Sequence, residues 1–306
     1  MRAIIPAFLL MLLSPTATAR EIALTFDDAP MADSALMTRE ARAAALIAAL
    51  DEADVEQVAF FAIARDLPAD AAAHLTRYAS AGHLVANHSN THRALHKIST
   101  DEYLADVAAA DRVLRALPNF RPWFRFPFLS EGSTLEKRDA VRVGLRRLGY
   151  AQGYVTVDNY DWYLNALANK AAKEGAAFDM GALRDLYVET LVSAADFYDD
   201  VALKWLGRSP RHVLLLHEND LAALFVADLV EALREDGWTV VSPAEAYEDP
   251  IADIEPDTTF LSQGRVAALA HLAGAERKAL VHEREDEAVL DKLFAERVLD
   301  QRRPSN

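Results

Sequence analysis

Short apolar runs alternate with amphipathic stretches along most of the chain. Residues 22–24, 57–63, 83–87, 123–126, 154–157, 212–216 and 238–241 read as buried strands, the first bounded by the turn signal at Pro30 and the fourth closed by Pro127. Between them the spacing predicts helices over 39–51, 68–81, 99–117, 134–148 and 220–235. A long helical region over 164–206 is broken around Gly175 and Gly181, and Pro243 opens a short helix. Ser99 with Glu102 three residues on forms a capping box. Strands and helices in alternation predict an α/β fold with a parallel sheet. About seven strands suit a closed or nearly closed barrel. After Pro250 the pattern changes, and 263–299 reads as a charged helical tail, packed on the barrel or partly mobile.

Composition narrows the chemistry. The chain has 306 residues, 52% of them hydrophobic, enough for one large domain or two small ones. Its formal charge of −15 argues against nucleic acid or an anionic membrane surface as partner. With no cysteine there is no disulfide and no thiolate, so a metal must be held by His, Asp or Glu. Residues 1–19 carry Arg2, an apolar run over 4–13 and Ala17-Thr18-Ala19. That is a signal-peptide pattern, and it predicts a periplasmic or secreted chain maturing near Arg20. The run is too short to span a bilayer; an uncleaved anchor is the alternative.

Candidate polar residues gather where strands end. Asp27 and Asp28 close the first strand, His88 the third, Asp158 the fifth and His217 the sixth, while Arg125 lies in the fourth. In a parallel barrel these ends share the face that carries active sites. The adjacent carboxylates repel unless a cation neutralises them, and a turn must start there for both to reach one site. Alone, Asp27-Asp28 reads as a solvated acidic turn capping the next helix. His88 and His92 stand four apart, as on one helical turn, and with Asp28 would make a two-His, one-carboxylate metal site. His96 continues the spacing but sits among Arg93 and Lys97, as a surface residue would. His217 after Val213-Leu214-Leu215-Leu216 is a core histidine or a catalytic one. Arg125 between two Phe needs an acidic partner if buried. Asp158 and Asp161 could pair with Arg125 or His217, and Trp162 could form an apolar wall beside them.

Assembled, these residues resemble the polysaccharide deacetylases, the fourth carbohydrate esterase family. Thr25-Phe26-Asp27-Asp28, His88-Ser89-Asn90-Thr91-His92, Arg125-Phe126-Pro127-Phe128, Asp158-Asn159-Tyr160-Asp161-Trp162 and Leu215-Leu216-His217 are similar to its five motifs, in order. The resemblance spans about 21–247. It implies a distorted (β/α)7-type barrel and metal-dependent removal of acetyl groups from glycans. Asp28, His88 and His92 are then the metal ligands. The metal is usually zinc, and cobalt and nickel also suit this ligand set. Asp27 is the implied general base and His217 the general acid. Arg125 orients Asp27, and Asp158 tunes His217. Leu215 and Trp162 line the pocket for the acetyl methyl, and the Phe128 N–H faces the oxyanion. Ala29 stands where the family usually has Gly, and Phe128 where Tyr is common.

These readings predict a signal peptide at 1–19, a catalytic barrel at 20–249 and a helical extension at 250–306. The expected activity is hydrolysis of the acetamide C–N bond of an acetylated glycan or oligosaccharide, by a monomer without a membrane span in the mature chain. The alternatives are an O-acetyl esterase or small-amide hydrolase on the same fold, or a silent glycan-binding domain. The helical insertion, about 163–210, is either an extra layer of core or a wall beside the cleft.

Overall fold

The structure, a computed structural model, describes residues 20–65, 67 and 69–299; the expected signal segment lies outside them. Seven strands follow in chain order: β1 (Arg20–Ala29), β2 (Ala59–Ala62), β3 (Leu84–Asn87), β4 (Phe120–Phe124), β5 (Ala151–Gln152), β6 (Arg211–His217) and β7 (Trp238–Val240). The helices are α1 (Arg39–Glu52), α2 (Ala69–Ser80), α3 (Thr100–Leu114), α4 (Leu135–Arg147), α5 (Asp161–Glu174), α6 (Met180–Leu206), α7 (Asp220–Glu235), α8 (Pro243–Ala246), α9 (Gly264–Leu272) and α10 (Glu287–Arg297).

All strand pairs are parallel, in the order β5-β4-β3-β2-β1-β6, as βα units require. The strand β1 is central. Ile22 pairs with His212 of β6 on one edge and Val240 of β7 on the other, while the far half of that second edge takes β2. Its Ile22, Leu24 and Phe26 are fully buried, which anchors the main core. The sheet curls with helices around it into a distorted barrel.

The strand expected at 154–157 is displaced. Ladder pairing falls on Ala151–Gln152 against β4, and Val157 makes only a lone bridge to Leu214 of β6. Gly153 still donates to Phe124 O at 2.8 Å, whereas Thr156 and Val157 donate to Val213 O at 3.0 and 3.1 Å. One segment therefore changes partners midway and bridges the two rims of the curled sheet. The apolar run marks burial correctly, but the crossing breaks the ladder.

The tail is not one helix. It divides into α9, a 3₁₀ turn (Arg277–Leu280) and α10, with a left-handed Gly274 after α9 and Asp286 capping α10. It packs closely. Arg265 N donates to Val155 O at 2.7 Å, and its buried guanidinium lies 4.0 Å over the Tyr154 ring. At the far end Asp179 N donates to Val298 O at 2.8 Å. The seat depends on Gly264, whose φ is +79° and where a Cβ would lie 2.9 Å from Val155 O. Gly264→Val should therefore cost about 1–3 kcal/mol in strain and displacement. The check is the midpoint of urea unfolding; an unchanged midpoint would mean that the tail does not bear on Val155.

Candidate active site

The end of β1 delivers both carboxylates. Asp28 has φ +65°, and the pairing with β2 slips between Phe26 and Ala29. That kink overrides the alternation of a strand, so neighbouring Asp27 and Asp28 line one cleft. Asp27 is buried and held by Arg125, whose Nη1 donates to its Oδ1 at 2.6 Å. Arg125 follows β4 immediately rather than lying within it. It is fixed in turn by Thr25 Oγ1 at 2.9 Å, Gly153 O at 2.8 Å and Tyr247 Oη at 2.9 Å, over the Phe61 ring at 3.8 Å. Burial pushes the Asp27 carboxyl above its ordinary range, and the charge of Arg125 opposes that.

His88 and His92 meet without a helix. The segment after β3 is a loop in which Ser89 (φ +76°) and His92 (φ +53°) are left-handed. Asp106 of α3 holds it, accepting from Asn90 N, Thr91 N and Thr91 Oγ1 at 2.9, 3.1 and 2.7 Å. His88 Nδ1 donates to Arg125 O at 3.0 Å, which leaves Nε2 as the free lone pair. Burial lowers the His88 pKa to about 3, so its ring is neutral and fit to ligate.

Asp28, His88 and His92 each offer a ligand atom, and these atoms lie within 4.8 Å of one another. Asp28 Oδ1 stands 3.6 Å from His88 Nε2 and 3.3 Å from His92 Nε2. This oxygen is buried and accepts no hydrogen bond, a cost that a bound cation would remove. The donor set, one carboxylate and two imidazoles, therefore fits a divalent metal. His96 is exposed and outside the cluster.

His217 ends β6. Its Nδ1 donates to Asp161 Oδ1 at 2.6 Å, and its backbone N to Asp161 Oδ2 at 2.9 Å. Asp161 is fully buried and also accepts from Asn219 Nδ2 at 2.9 Å. Burial opposes charge on His217, but Asp161, then Asp28 and Asp27, outweigh it and raise the imidazole to about 10. At neutral pH it carries a proton. The family resemblance assigns the tuning of His217 to Asp158; the contact belongs to Asp161, the first residue of α5. Asp158 lines the same cleft without bonding His217, because the turn after it swings the next acid under the ring. Its carboxyl is pushed well up by burial and by Glu285.

The cleft measures about 490 Å³. Leu215, Trp162, Phe128 and Met31 give it apolar walls, with Trp162 39% and Phe128 60% exposed. The Phe128 backbone is left-handed at φ +58°. None of the described residues of 179–206 lines this cleft. Leu183, Leu186, Tyr187, Leu191 and Tyr198 of α6 are instead buried in the core, beside α7 and α9. The insertion reaches the cleft only through Asn165 of α5, one turn beyond Trp162 of the fourth motif. Ser262 and Gln263 of the tail line it as well, and no motif marks them.

Residues 14–152 match the family model described as polysaccharide deacetylase. The fold is similar to a family 4 carbohydrate esterase from Streptomyces lividans in complex with acetate, at 19% identity over 74% of this chain and 95% of that one, with a TM-score of 0.50. It is similar also to the carbohydrate esterase domain of a multidomain xylanase from the hindgut metagenome of Trinervitermes trinervoides. There the identity is 16% over 79% of this chain and 96% of that one, with a TM-score of 0.51. A variant of a Bacillus anthracis pseudoenzyme of the family, with restored enzymatic activity, gives 19% identity over 75% of this chain and 68% of that one, with a TM-score of 0.53. No curated protein matches. The matched segment, 14–152, belongs to the polysaccharide deacetylase family.

Proposed function

We propose that the chain is a metal-dependent hydrolase that removes acetyl groups from N-acetylated sugars of a glycan or oligosaccharide. Family membership supports a carbohydrate deacetylase. The finer assignment is supported above all by Asp28, His88 and His92 meeting around an orphaned carboxylate oxygen, in one cleft with Asp27 and His217. A divalent cation bound there, zinc by the usual preference of such ligands, supplies Lewis-acid polarisation of an acetyl carbonyl and a lowered pKa for water.

The chain's own groups account for the proton traffic. Arg125 occupies one oxygen of Asp27 and leaves Oδ2 to accept a proton from the attacking water. The Phe128 N–H is the donor proposed for the oxyanion. His217, with Nδ1 bound to Asp161, presents Nε2 to the departing amine and protonates it. An amide needs that proton more than an ester does, because an amine anion is a poor leaving group. Leu215 and Trp162 are apolar surfaces suited to the acetyl methyl.

Export is proposed on the pattern of 1–19. It predicts a mature terminus near Arg20, which mass spectrometry of the native protein would find; Met1 intact in a cytoplasmic pool would oppose it.

Acetate release from a panel of acetylated sugars, with and without metal, tests the activity. A chelator should abolish it and Zn²⁺ restore it. His88→Ala should lose bound metal, whereas His96→Ala should keep it. Full occupancy in His88→Ala would sink the ligand assignment. No acetate from any sugar with metal bound would leave a binding domain as the better account.

Asp27→Asn should keep the metal and lose on the order of 10²-fold or more in rate. The pH profile of kcat/KM should be bell-shaped, rising as Asp27 ionises and falling as His217 loses its proton. Asp161 raises the His217 pKa, so Asp161→Asn should move the alkaline limb to lower pH. An alkaline limb that stays in place would remove His217 from the role of acid.

A further inference from the structure

The tail after Pro250 lies outside the five motifs, yet it supplies part of the cleft wall. We propose that Gln263 of this extension, together with Asp158, is a specificity-determining pair that binds the hydroxyl groups of a small neutral saccharide. This deepens the deacetylase assignment above by naming the substrate class.

Three observations carry it. Gln263 is held in place. Tyr198 Oη, buried, stands 2.9 Å from Gln263 Oε1 and 2.8 Å from Glu285 Oε1. With its oxygen facing that hydroxyl, Gln263 keeps its N–H groups to donate to a ligand. The next two residues fix the backbone, Gly264 against Val155 O and Arg265 N donating to the same oxygen. A side chain anchored on that seat can read a ligand, because little entropy is lost when the ligand binds.

The second observation is an unmatched acid pair. Asp158 lines the cleft and is buried, and it has no salt bridge among the described residues. Its electrostatic neighbour is Glu285, 6% exposed, whose Oε2 is buried and accepts no hydrogen bond. Burial pushes Glu285 to about 7 and Asp158 well up. Near neutrality the two carboxyls therefore retain a proton. Asp158, the member that lines the cleft, can then bond a ligand hydroxyl without demanding a cation. An anionic sugar would meet the remaining negative charge.

The third is shape. Trp162 presents an exposed ring that packs against Tyr160 at 5.3 Å between centroids, an apolar platform beside the polar pair. A sugar ring has both an apolar face and a hydroxylated edge. A cleft of about 490 Å³ falls within the usual range for small-molecule sites, roughly 300–1,000 Å³, and suits a short saccharide or a chain end.

The test is calorimetric binding of a β-1,4-linked N-acetylglucosamine disaccharide to the full-length, zinc-loaded protein. Gln263→Ala and Gln263→Leu should weaken binding about fivefold to tenfold, as loss of a neutral hydrogen bond implies. Tyr198→Phe should weaken it less, since it frees the amide without removing it. A disaccharide carrying a carboxylate should bind more weakly than the neutral one. Unchanged affinity in both Gln263 variants, no binding by the parent protein, or equal binding of the anionic sugar would each overturn the proposal. Parent protein that binds the disaccharide but releases no acetate would overturn the deacetylase assignment and leave this one standing.

Discussion

The buried guanidinium of Arg125 is the contact on which the site depends. Its side chain joins β1 through Thr25 and Asp27, the crossing segment through Gly153, and the end of α8 through Tyr247. Its carbonyl oxygen also accepts from His88 and so sets the tautomer of a metal ligand. One residue thereby fixes the base and orients an imidazole. A buried charge of this kind persists only if it is fully paired; removing either partner typically costs about 3–5 kcal/mol. The Phe61 ring beneath it and five hydrogen-bond acceptors around it meet that condition.

Negative charge dominates the rest of the cleft. Asp27, Asp28, Asp158 and Asp161 crowd its walls and base, and Glu285 lies behind. Each is relieved differently. Arg125 balances Asp27, and a proton on His217 balances Asp161. Burial pushes Asp158 and Glu285 up, and the charge of Glu285 adds to the shift of Asp158. Asp28 keeps an orphaned oxygen, with the imidazoles of His88 and His92 aimed at it. A cation is the relief this last carboxylate lacks, which links the electrostatics of the site to its chemistry.

Much of the site is legible in the sequence. Strand ends carry Asp27, Asp28, His88 and His217, and a parallel barrel brings such ends to one rim. The need of Arg125 for an acidic partner follows from its apolar neighbours. Two features are not legible there. The spacing of His88 and His92 suggests a helical turn, but a loop with two left-handed residues joins them, pinned by Asp106 of α3. Sequence spacing cannot tell two routes to the same separation apart. Asp158 and Asp161 are likewise equal candidates for His217 on composition. What separates them is the turn that starts α5, where Asn159 Oδ1 accepts from Asp161 N at 3.0 Å and sets the acid beneath the ring.

The two segments outside the barrel differ in what they give the cleft. The long helix α6, with its aromatic residues, reads either as an extra layer of core or as a cleft wall, and it is core. Those residues face inward: Tyr187 and Tyr198 are fully buried, and α6 serves as a layer between α7 and α9. The charged tail reads as packed on the barrel or partly mobile, and it carries Gln263 to the cleft. The difference has a physical basis. Aromatic residues at helical spacing report burial against something, but not what that something is. A polar residue at the start of a helix reports nothing until the helix is placed. Here placement comes from Gly264, whose missing Cβ lets the backbone meet Val155 O, and from Arg265 stacked on Tyr154. Tyr198 then supports Gln263 from behind. The buried α6 thus shapes the cleft indirectly, by holding the segment that lines it.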